Sequence, residues 1–370
     1  MTASGADGTV GPVEPVPAHA AQHRATIADV ARRAGVGAGT VSRVLNGGAR
    51  VSETTRRRVL AVIDELDYRP SQAARNLSLG TTSTVGVVVP FFTHASAVER
   101  LRGLVPVLTG GAYDFVLFDV ETREHRNHHL DSLSRPGRID GAVVVSLPLT
   151  DAEVTRFTRA RIPLVLLDAA HPGVPHVVID DVRGGRLATE HLIALGHWRI
   201  AFVGDPPTNP FDFTSSTDRR QGYHDALARA GIAARPEYVK EGSHDREVAF
   251  RLTEELLSLP EPPTAVFVAS DTQALGVLEA ARRHDVAVPG DLSVIGFDDI
   301  EVSRLVGLTT VRQPLQDSGA RAGALLLQLL EGGTAPAETL LPLEVVFRET
   351  TAPPPTARSG RATSGRGARR

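Results

Sequence analysis

Between residues 26 and 46 the chain sets small polar and basic side chains opposite apolar ones at helical spacing. In the run Thr40-Val41-Ser42-Arg43-Val44-Leu45-Asn46, Ser42, Arg43 and Asn46 share one face while Val41, Val44 and Leu45 share the other. An arginine on such a face carries a fork of N–H donors that matches the O6 and N7 acceptors of guanine. Ser42, Asn46 and the N-terminus of the helix suit phosphate oxygens. A second set lies downstream. Asp168, Ser270, Asp271 and Asp298 stand at the ends of β-branched runs, and Arg219 opens a helix after a long loop. One guanidinium and several carboxylates facing a cleft form paired hydrogen bonds to adjacent hydroxyls, as on a polyhydroxylated ligand. For Asp298 and Asp271, capping of a turn or helix is the competing role. His125, His128 and His129 form the densest histidine cluster, but with no cysteine and no matched carboxylate set they read as a solvated helix face, and no metal is expected. Gly-x-Ser-x-Gly and His-Glu-x-x-His are absent, and no nucleophile–base pair emerges, so neither a catalytic residue nor a cofactor is expected. Gly35-x-Gly37-x-Gly39 is not a phosphate loop, because no strand precedes it and no Gly-Lys-Ser/Thr follows.

The elements that position the first set are short helices. Thr26 with Asp29 three residues on approximates a capping box, and Ile27, Val30, Ala31 and Ala34 then fall on one face. Gly35 ends that helix where left-handed backbone costs least. A third helix starts at Ser52, a good N-cap, and turns Val59, Ile63 and Leu66 inward. Two short helices around a glycine turn with a supporting third is the helix-turn-helix plan. Residues 24–80 carry ten arginines against five acids, a local charge of +5 in a chain that totals −3. A compact basic module on a mildly acidic body is the electrostatic footprint of nucleic-acid binding.

From residue 83 the texture changes to β-branched runs spaced by helical stretches: Thr84–Val89, Phe115–Asp119, Gly141–Val145, Leu164–Asp168, Val177–Asp180, Ile200–Gly204, Ala265–Ala269 and Ser293–Phe297. That alternation predicts βαβ units and parallel sheets, in two similar lobes split near Asp180. Ligands of such sheets sit at the carboxyl ends of the strands. At 370 residues the chain is long enough for two or three domains, and with no cysteine it excludes disulfide scaffolds and cysteine zinc fingers. No apolar run is long enough to span a bilayer, and residues 1–23, rich in Gly, Ala and Pro, lack the pattern of a signal peptide. The expectation is a cytoplasmic protein with no membrane partner. Residues 1–23 and the basic tail 351–370 read as disordered arms.

The phrases Ile27-Ala28-Asp29-Val30-Ala31, Ala34-Gly35-Val36, Thr40 to Asn46, Val51-Ser52 and Tyr68-Arg69-Pro70 resemble the lactose-repressor (LacI/GalR) family of bacterial transcriptional regulators. The resemblance continues through Ala73-Ala74-Arg75-Asn76-Leu77, Asp180-Asp181, Arg219-Arg220-Gln221-Gly222-Tyr223, Ala269-Ser270-Asp271 and Val294 to Asp299, and so spans nearly the whole chain outside the two tails. It implies a three-helix DNA-binding domain at 24–70 and a hinge helix and linker at 71–82. A periplasmic-binding-protein-like effector domain follows at 83–350, with lobe 1 about 83–180 plus 313–340 and lobe 2 about 181–312 plus 341–350. Operator contacts would then come from Thr26, Ala38, Gly39, Thr40, Ser42, Arg43, Asn46 and Ser52, with Leu77 wedged into the minor groove. Effector contacts would come from Phe92, His94, Ser96, Asp168, Phe211, Arg219, Ser270 and Asp298. Two departures matter. Gly37 stands where the family usually has serine, and Ala38 and Gly39 offer almost no side chain for base contact, which leaves discrimination to Arg43, apolar contact from Ala38 and DNA deformability. His94-Ala95-Ser96-Ala97 replaces the family's Asn-Pro-Phe-Phe, so Phe91, Phe92 or the Phe211–Phe213 loop would have to supply the aromatic wall.

The resemblance further implies a homodimer on a pseudo-palindromic operator, in the cytoplasm and at the nucleoid when bound. A small-molecule effector between the lobes, a sugar or sugar derivative, would alter operator affinity. No leucine heptad follows Thr350, so no tetramer-forming tail is expected. The body alone would also serve a solute-binding receptor, which the basic module argues against. A sugar-active enzyme would need a phosphate loop or paired catalytic groups.

Overall fold

Thr26 starts the first helix, α1 (Ile27–Ala34), with a reciprocal cap: its side chain accepts from the Asp29 amide, and the Asp29 carboxylate accepts from its own amide. Gly35 closes the helix in left-handed backbone, φ 63°. The computed structural model describes residues 25–45, 51–68 and 81–355, which fall into two units divided between Gly80 and Thr81. The first unit continues with α2 (Ala38–Leu45) and α3 (Glu53–Glu65). The second helix therefore begins two residues before Thr40, because Gly37 presents its carbonyl to the amides of Thr40 and Val41. Val30, Ala34, Val41, Val44, Val59 and Val62 make the core. Val62 is buried, whereas Ile63 and Leu66, expected inside, pack at its margin. Asn46, residues 69–80 with Leu77, the arm 1–23 and residues 356–370 lie outside the described residues. The start of the basic tail, expected to be disordered from 351, is instead held to the body as far as 355: the Ala352 amide donates to Ser293 Oγ at 3.0 Å, and its carbonyl accepts from Ser293 Oγ at 2.9 Å.

The second unit alternates strands and helices: β1 (Thr84–Pro90), α4 (Ala95–Gly110), β2 (Asp114–Val120), α5 (Arg123–Leu133), β3 (Gly141–Val145), α6 (Asp151–Ala160), β4 (Leu164–Leu167) and β5 (His176–Val178). Then come α7 (Asp181–Ala194), β6 (Ile200–Gly204), α8 (Ser215–Arg229), β7 (Val239–Glu241), α9 (Arg246–Leu257), β8 (Ala265–Val268), α10 (Asp271–Arg283) and β9 (Ser293–Asp298). The chain ends with α11 (Glu301–Leu305), β10 (Thr309–Arg312), α12 (Leu315–Leu330), β11 (Glu338–Leu340) and β12 (Glu344–Val346).

Two six-stranded sheets result, in the orders β11-β5-β4-β3-β1-β2 and β12-β10-β9-β8-β6-β7. All pairings are parallel except β10 with β12. All eight runs read as strands from the sequence form strands, and β7, β10, β11 and β12 were not among them. Each sheet is covered on both faces by apolar clusters, which explains strands such as Gly141–Val145 that are buried at every position. We call the first sheet with its helices lobe 1 and the second lobe 2.

The order reverses between β1 and β3 in lobe 1, and between β6 and β8 in lobe 2. Such switch points leave crevices at the carboxyl ends of the strands. In both lobes a close helix crossing sets the helix bordering the crevice. A Cβ on Gly319 of α12 would lie 1.9 Å from the Arg100 carbonyl oxygen of α4, and one on Gly185 of α7 would lie 2.0 Å from that of Arg219 in α8.

Candidate functional site

On the first unit, α2 presents Ala38, Gly39 and Arg43 to solvent, with Thr40 and Ser42 half-buried beside them. A Cβ on Gly39 would meet the Arg43 guanidinium at 3.7 Å, so the glycine leaves that guanidinium uncovered. Neighbouring arginines are engaged: Arg32 pairs with Asp29, and Arg33 with Glu65 at 2.6 Å. Thr26 and Ser52 spend their hydroxyls on structure first. Thr26 Oγ1 donates to Asp29 at 2.7 Å, and Ser52 Oγ donates to Thr55 Oγ1 at 2.9 Å while accepting from the Thr55 amide. Both still stand at helix N-termini, where backbone N–H groups face outward.

On the second unit the crevices of both lobes open into one cavity of about 760 Å³. Residues at the ends of β1, β3 and β4 face it from lobe 1, and Asp181 at the start of α7, residues following β6 and β7, Asp298 at the end of β9 and Gln313 after β10 from lobe 2 and the crossover. In lobe 1, Arg100 pairs with Asp168 at 2.8 Å, and Ser146 Oγ donates to the other oxygen of Asp168 at 2.7 Å. In lobe 2, Arg219 donates from Nε to Asp181 at 2.8 Å and from Nη1 to the Ala269 carbonyl at 2.6 Å, and it lies 3.8 Å from Asp298. Its guanidinium carbon sits 3.7 Å above the Phe297 ring. Gln313, on the crossover after β10, joins the two sides: it donates to Asp298 and accepts from Arg100. Among the described residues the buried Nε of Arg100 has no partner.

Burial shapes the charges. It raises the Asp181 carboxyl to about 6 against the pull of Arg219, and raises Asp298 in the same way. Burial lowers the Arg219 guanidinium, but Asp181 and Asp298 outweigh it and the net shift is upward. His94 and His244 stack across the lobes at 5.3 Å. Burial, then the charge of His244, lowers His94. His244 is half-buried, which lowers it, yet its contact with Asp205 at 3.2 Å outweighs that and raises it. The backbone is strained at the same place. Phe91, Ser146, Asp168, Asp212 and Asp298 line the cavity with φ of 46°, 54°, 60°, 60° and 121°. Such positions cost of order 1–3 kcal/mol each and gather at ligand clamps. Two helix N-termini also border it, those of α4 and α8, whose N-cap residues His94 and Thr214 make no side-chain cap.

Of the effector residues expected from sequence, His94, Ser96, Asp168, Arg219 and Asp298 line the cavity. Phe92, Phe211 and Ser270 do not. Phe92 is 38% exposed, its amide held by Asp119. Phe211 is 2% exposed, inside the core of lobe 1. Ser270 is the N-cap of α10 and accepts from the Gln273 amide. Asp271 is a buried bracket behind Asp298, accepting from Ser303, Thr310 and the Ile300 amide. Sequence reasoning passed over Arg100, Asp181, Asp205, His244 and Gln313. Asp181 carried a signal, since it follows a strand run beside Asp180. Arg100 carried none, being an arginine inside an amphipathic helix. The histidines of α5 do not assemble a site: His129 packs against the Phe118 ring at 5.3 Å, and among the described residues no group of three metal-binding side chains comes together.

Residues 26–71 match the model of bacterial regulatory proteins of the lacI family, and residues 189–351 that of a periplasmic binding protein-like domain. Catabolite control protein A of Priestia megaterium is 35% identical over 331 residues, covering 88% of this chain and 99% of its own. The lac repressor dimer bound to operator and the anti-inducer ONPF superposes with a TM-score of 0.75 at 30% identity, covering 89% of this chain and 99% of that one. The complex of the transcriptional regulator CelR with cellobiose does so at 0.65 and 32% identity, covering 88% and 100%. Among the described residues no helix is long and apolar enough to cross a membrane.

Proposed function

The chain belongs to the LacI family of bacterial regulatory proteins, and we propose from that premise that it is an operator-binding transcriptional repressor switched by a polyhydroxylated small molecule held between the lobes. The observation that carries the choice of ligand is the pairing of Arg100 with Asp168 and of Arg219 with Asp181 on opposite walls of one cavity. Each guanidinium is already neutralised, so among the described residues the cleft shows no uncommitted arginine or lysine for a phosphate or carboxylate. It offers donors and acceptors side by side, and a hydroxyl is both. The uncapped N-termini of α4 and α8 add donors from each lobe. CelR carries cellobiose in its solved complex, which favours a sugar here.

On the DNA side, Arg43 reads a base edge in the major groove, Ala38 makes apolar contact, and Gly39 lets the backbone approach. Thr26, Thr40, Ser42 and Ser52 hold phosphates. Asn46 and Leu77 keep their proposed roles at the groove and at the hinge, outside the described residues. A homodimer sets two copies of α2 in successive major grooves. The role is binding without turnover, carried out in the cytoplasm, with no metal or cofactor.

Two measurements test this. Selection of duplexes by the purified chain should return a pseudo-palindrome, and binding to it should fall in Arg43→Ala. A thermal-shift screen should find a neutral sugar that stabilises the wild type by ~2.7 kcal/mol at 100 times its dissociation constant, and not Asp298→Ala. Binding of duplexes without sequence preference would sink the operator reading. A ligand indifferent to Asp298→Ala would move the effector out of the cleft.

A further inference from the structure

The loop from Asp205 to Thr214 leaves lobe 2 and returns to it, yet its buried aromatic side chain is housed in lobe 1. Phe211 lies in the cluster of Val88, Val120, Leu130 and Val144, whose other buried members all come from residues 88–174. Its ring meets Phe91 edge to face at 5.6 Å. Beside it, Asp212 pairs with Arg123 of α5 in lobe 1 at 3.2 Å. The loop is shaped to deliver that ring. Asn209 Oδ1 accepts from the Phe211 and Phe213 amides at 3.2 and 2.8 Å, and Asn209 Nδ2 donates to the Phe213 carbonyl at 2.9 Å. Pro206, Pro207 and Pro210 restrict what else the loop can adopt. Other residues of the same loop, Thr208, Asn209 and Phe213 among them, form a wall of the cleft.

A side chain of one lobe seated in the core of the other stays buried only while the lobes are closed. The ion pairs that cross at the rim, Arg123 with Asp212 and also Arg102 with Glu301, are solvent-exposed and hold little. We propose that Phe211 is the positioning residue that clasps the lobes together: docked, it holds the loop over the effector cleft, and withdrawn, it opens the cleft for exchange. The regulatory meaning rests on the reading of the cleft as the effector site, but the clasp is measurable with no effector at all.

The chain has no cysteine, so spin labels can be placed at Glu124→Cys in lobe 1 and Arg229→Cys in lobe 2, both exposed and outside the cleft. Double electron–electron resonance on the full chain, with the doubly labelled protein diluted into an excess of unlabelled chain so that a dimer carries at most one labelled copy, should give one narrow distance in the otherwise wild-type protein. Phe211→Ala should add a longer population or at least double the width. Phe211→Leu, which refills most of the space, should restore the narrow peak, a rescue that a general loss of stability would not produce. Asn209→Ala releases the loop without removing a core side chain, and should broaden the distribution even if Phe211→Ala does not fold. An unchanged distribution in folded Asn209→Ala and Phe211→Ala, or a broad one in the parent, would overturn the clasp. Failure of the effector reading looks different: a blank ligand screen together with intact broadening.

Discussion

Replacing Arg219 with methionine should destabilise the chain strongly at pH 8 and weakly at pH 5. The guanidinium is buried, donates to Asp181 and to the Ala269 carbonyl, and faces Asp298 at 3.8 Å. Methionine keeps apolar contact with Phe297 but leaves the buried Asp298 and the largely buried Asp181 carboxylates without their cation. Removing one partner of a buried pair costs about 3–5 kcal/mol. Asp181 sits at about 6 against an ordinary 3.8, so in the folded state it keeps its proton where the unfolded chain has lost it. On its account stability falls as pH rises from about 4 to about 6. Without Arg219, which pulls both carboxyls down, Asp181 and Asp298 rise further and the falling window extends upward. At pH 5 Asp181 is then protonated and Asp298 has shifted in the same direction, so the stranded charge is reduced and the cost falls towards that of the hydrogen bond to Ala269, about 1–2 kcal/mol. At pH 8 the full cost returns. Thermal unfolding of both proteins at the two pH values is the assay, with each kcal/mol worth roughly 2–4 °C. An equal loss at both values would refute the argument, since the deficit would then owe nothing to the stranded carboxylates.

Arg43→Ala should weaken operator binding by about 1–3 kcal/mol and relax preference at one base pair, read by anisotropy on single-base operator variants; a uniform loss across variants would make Arg43 a phosphate contact instead. Gly319→Ala drives a methyl to within 1.9 Å of the Arg100 carbonyl, so α4 and α12 must part; a cost of about 1–3 kcal/mol in thermal unfolding is expected, and no change would mean that the crossing is loose. Gln313→Leu cuts the link between Asp298 and Arg100 and should reduce the effect of ligand on operator affinity by about 0.5–2 kcal/mol, in titrations with and without ligand. An unaltered response would place the coupling elsewhere.

The features legible in sequence were those fixed by neighbours in the chain. Thr26, Asp29 and Gly35 build a cap and a turn within one helix length, and the first helix forms where they put it. Six of the eight apolar runs became strands buried at nearly every position, where a strand is apolar whatever it pairs with, while β2 at the sheet edge and the short β5 stay partly exposed. The three-residue strands β7, β11 and β12 carry no such run, and only tertiary pairing makes them strands. Gly185 and Gly319 matter because another helix approaches them, which no local pattern records. The cleft was half legible for the same reason. Asp168, Arg219 and Asp298 end or follow recognisable runs, so topology alone brings them together. Ser270 shares that position but is consumed by a cap, and Phe211 crosses to the other lobe. From sequence, a polar strand end and a cap look alike.

The cleft is built so that occupancy and lobe geometry depend on one another. Each wall carries an arginine on a helix held by a glycine crossing, and each arginine is matched to an aspartate of its own lobe. The charges are thus balanced within each lobe, and opening separates no strong pair. What spans the gap is geometry-dependent: the Gln313 hydrogen bonds, the stacked His94 and His244 rings and the buried Phe211. On the proposed reading, a neutral ligand with hydroxyls at both ends would exchange hydrogen bonds with Asp168 and Arg100 on one side and with Asp298 and Arg219 on the other. It would complete both sets only at one separation of the lobes. Its affinity would then differ between open and closed forms, and that difference is the whole of what a ligand can contribute to moving an equilibrium. By the same linkage, operator binding that favours one separation must alter ligand affinity by an equal factor.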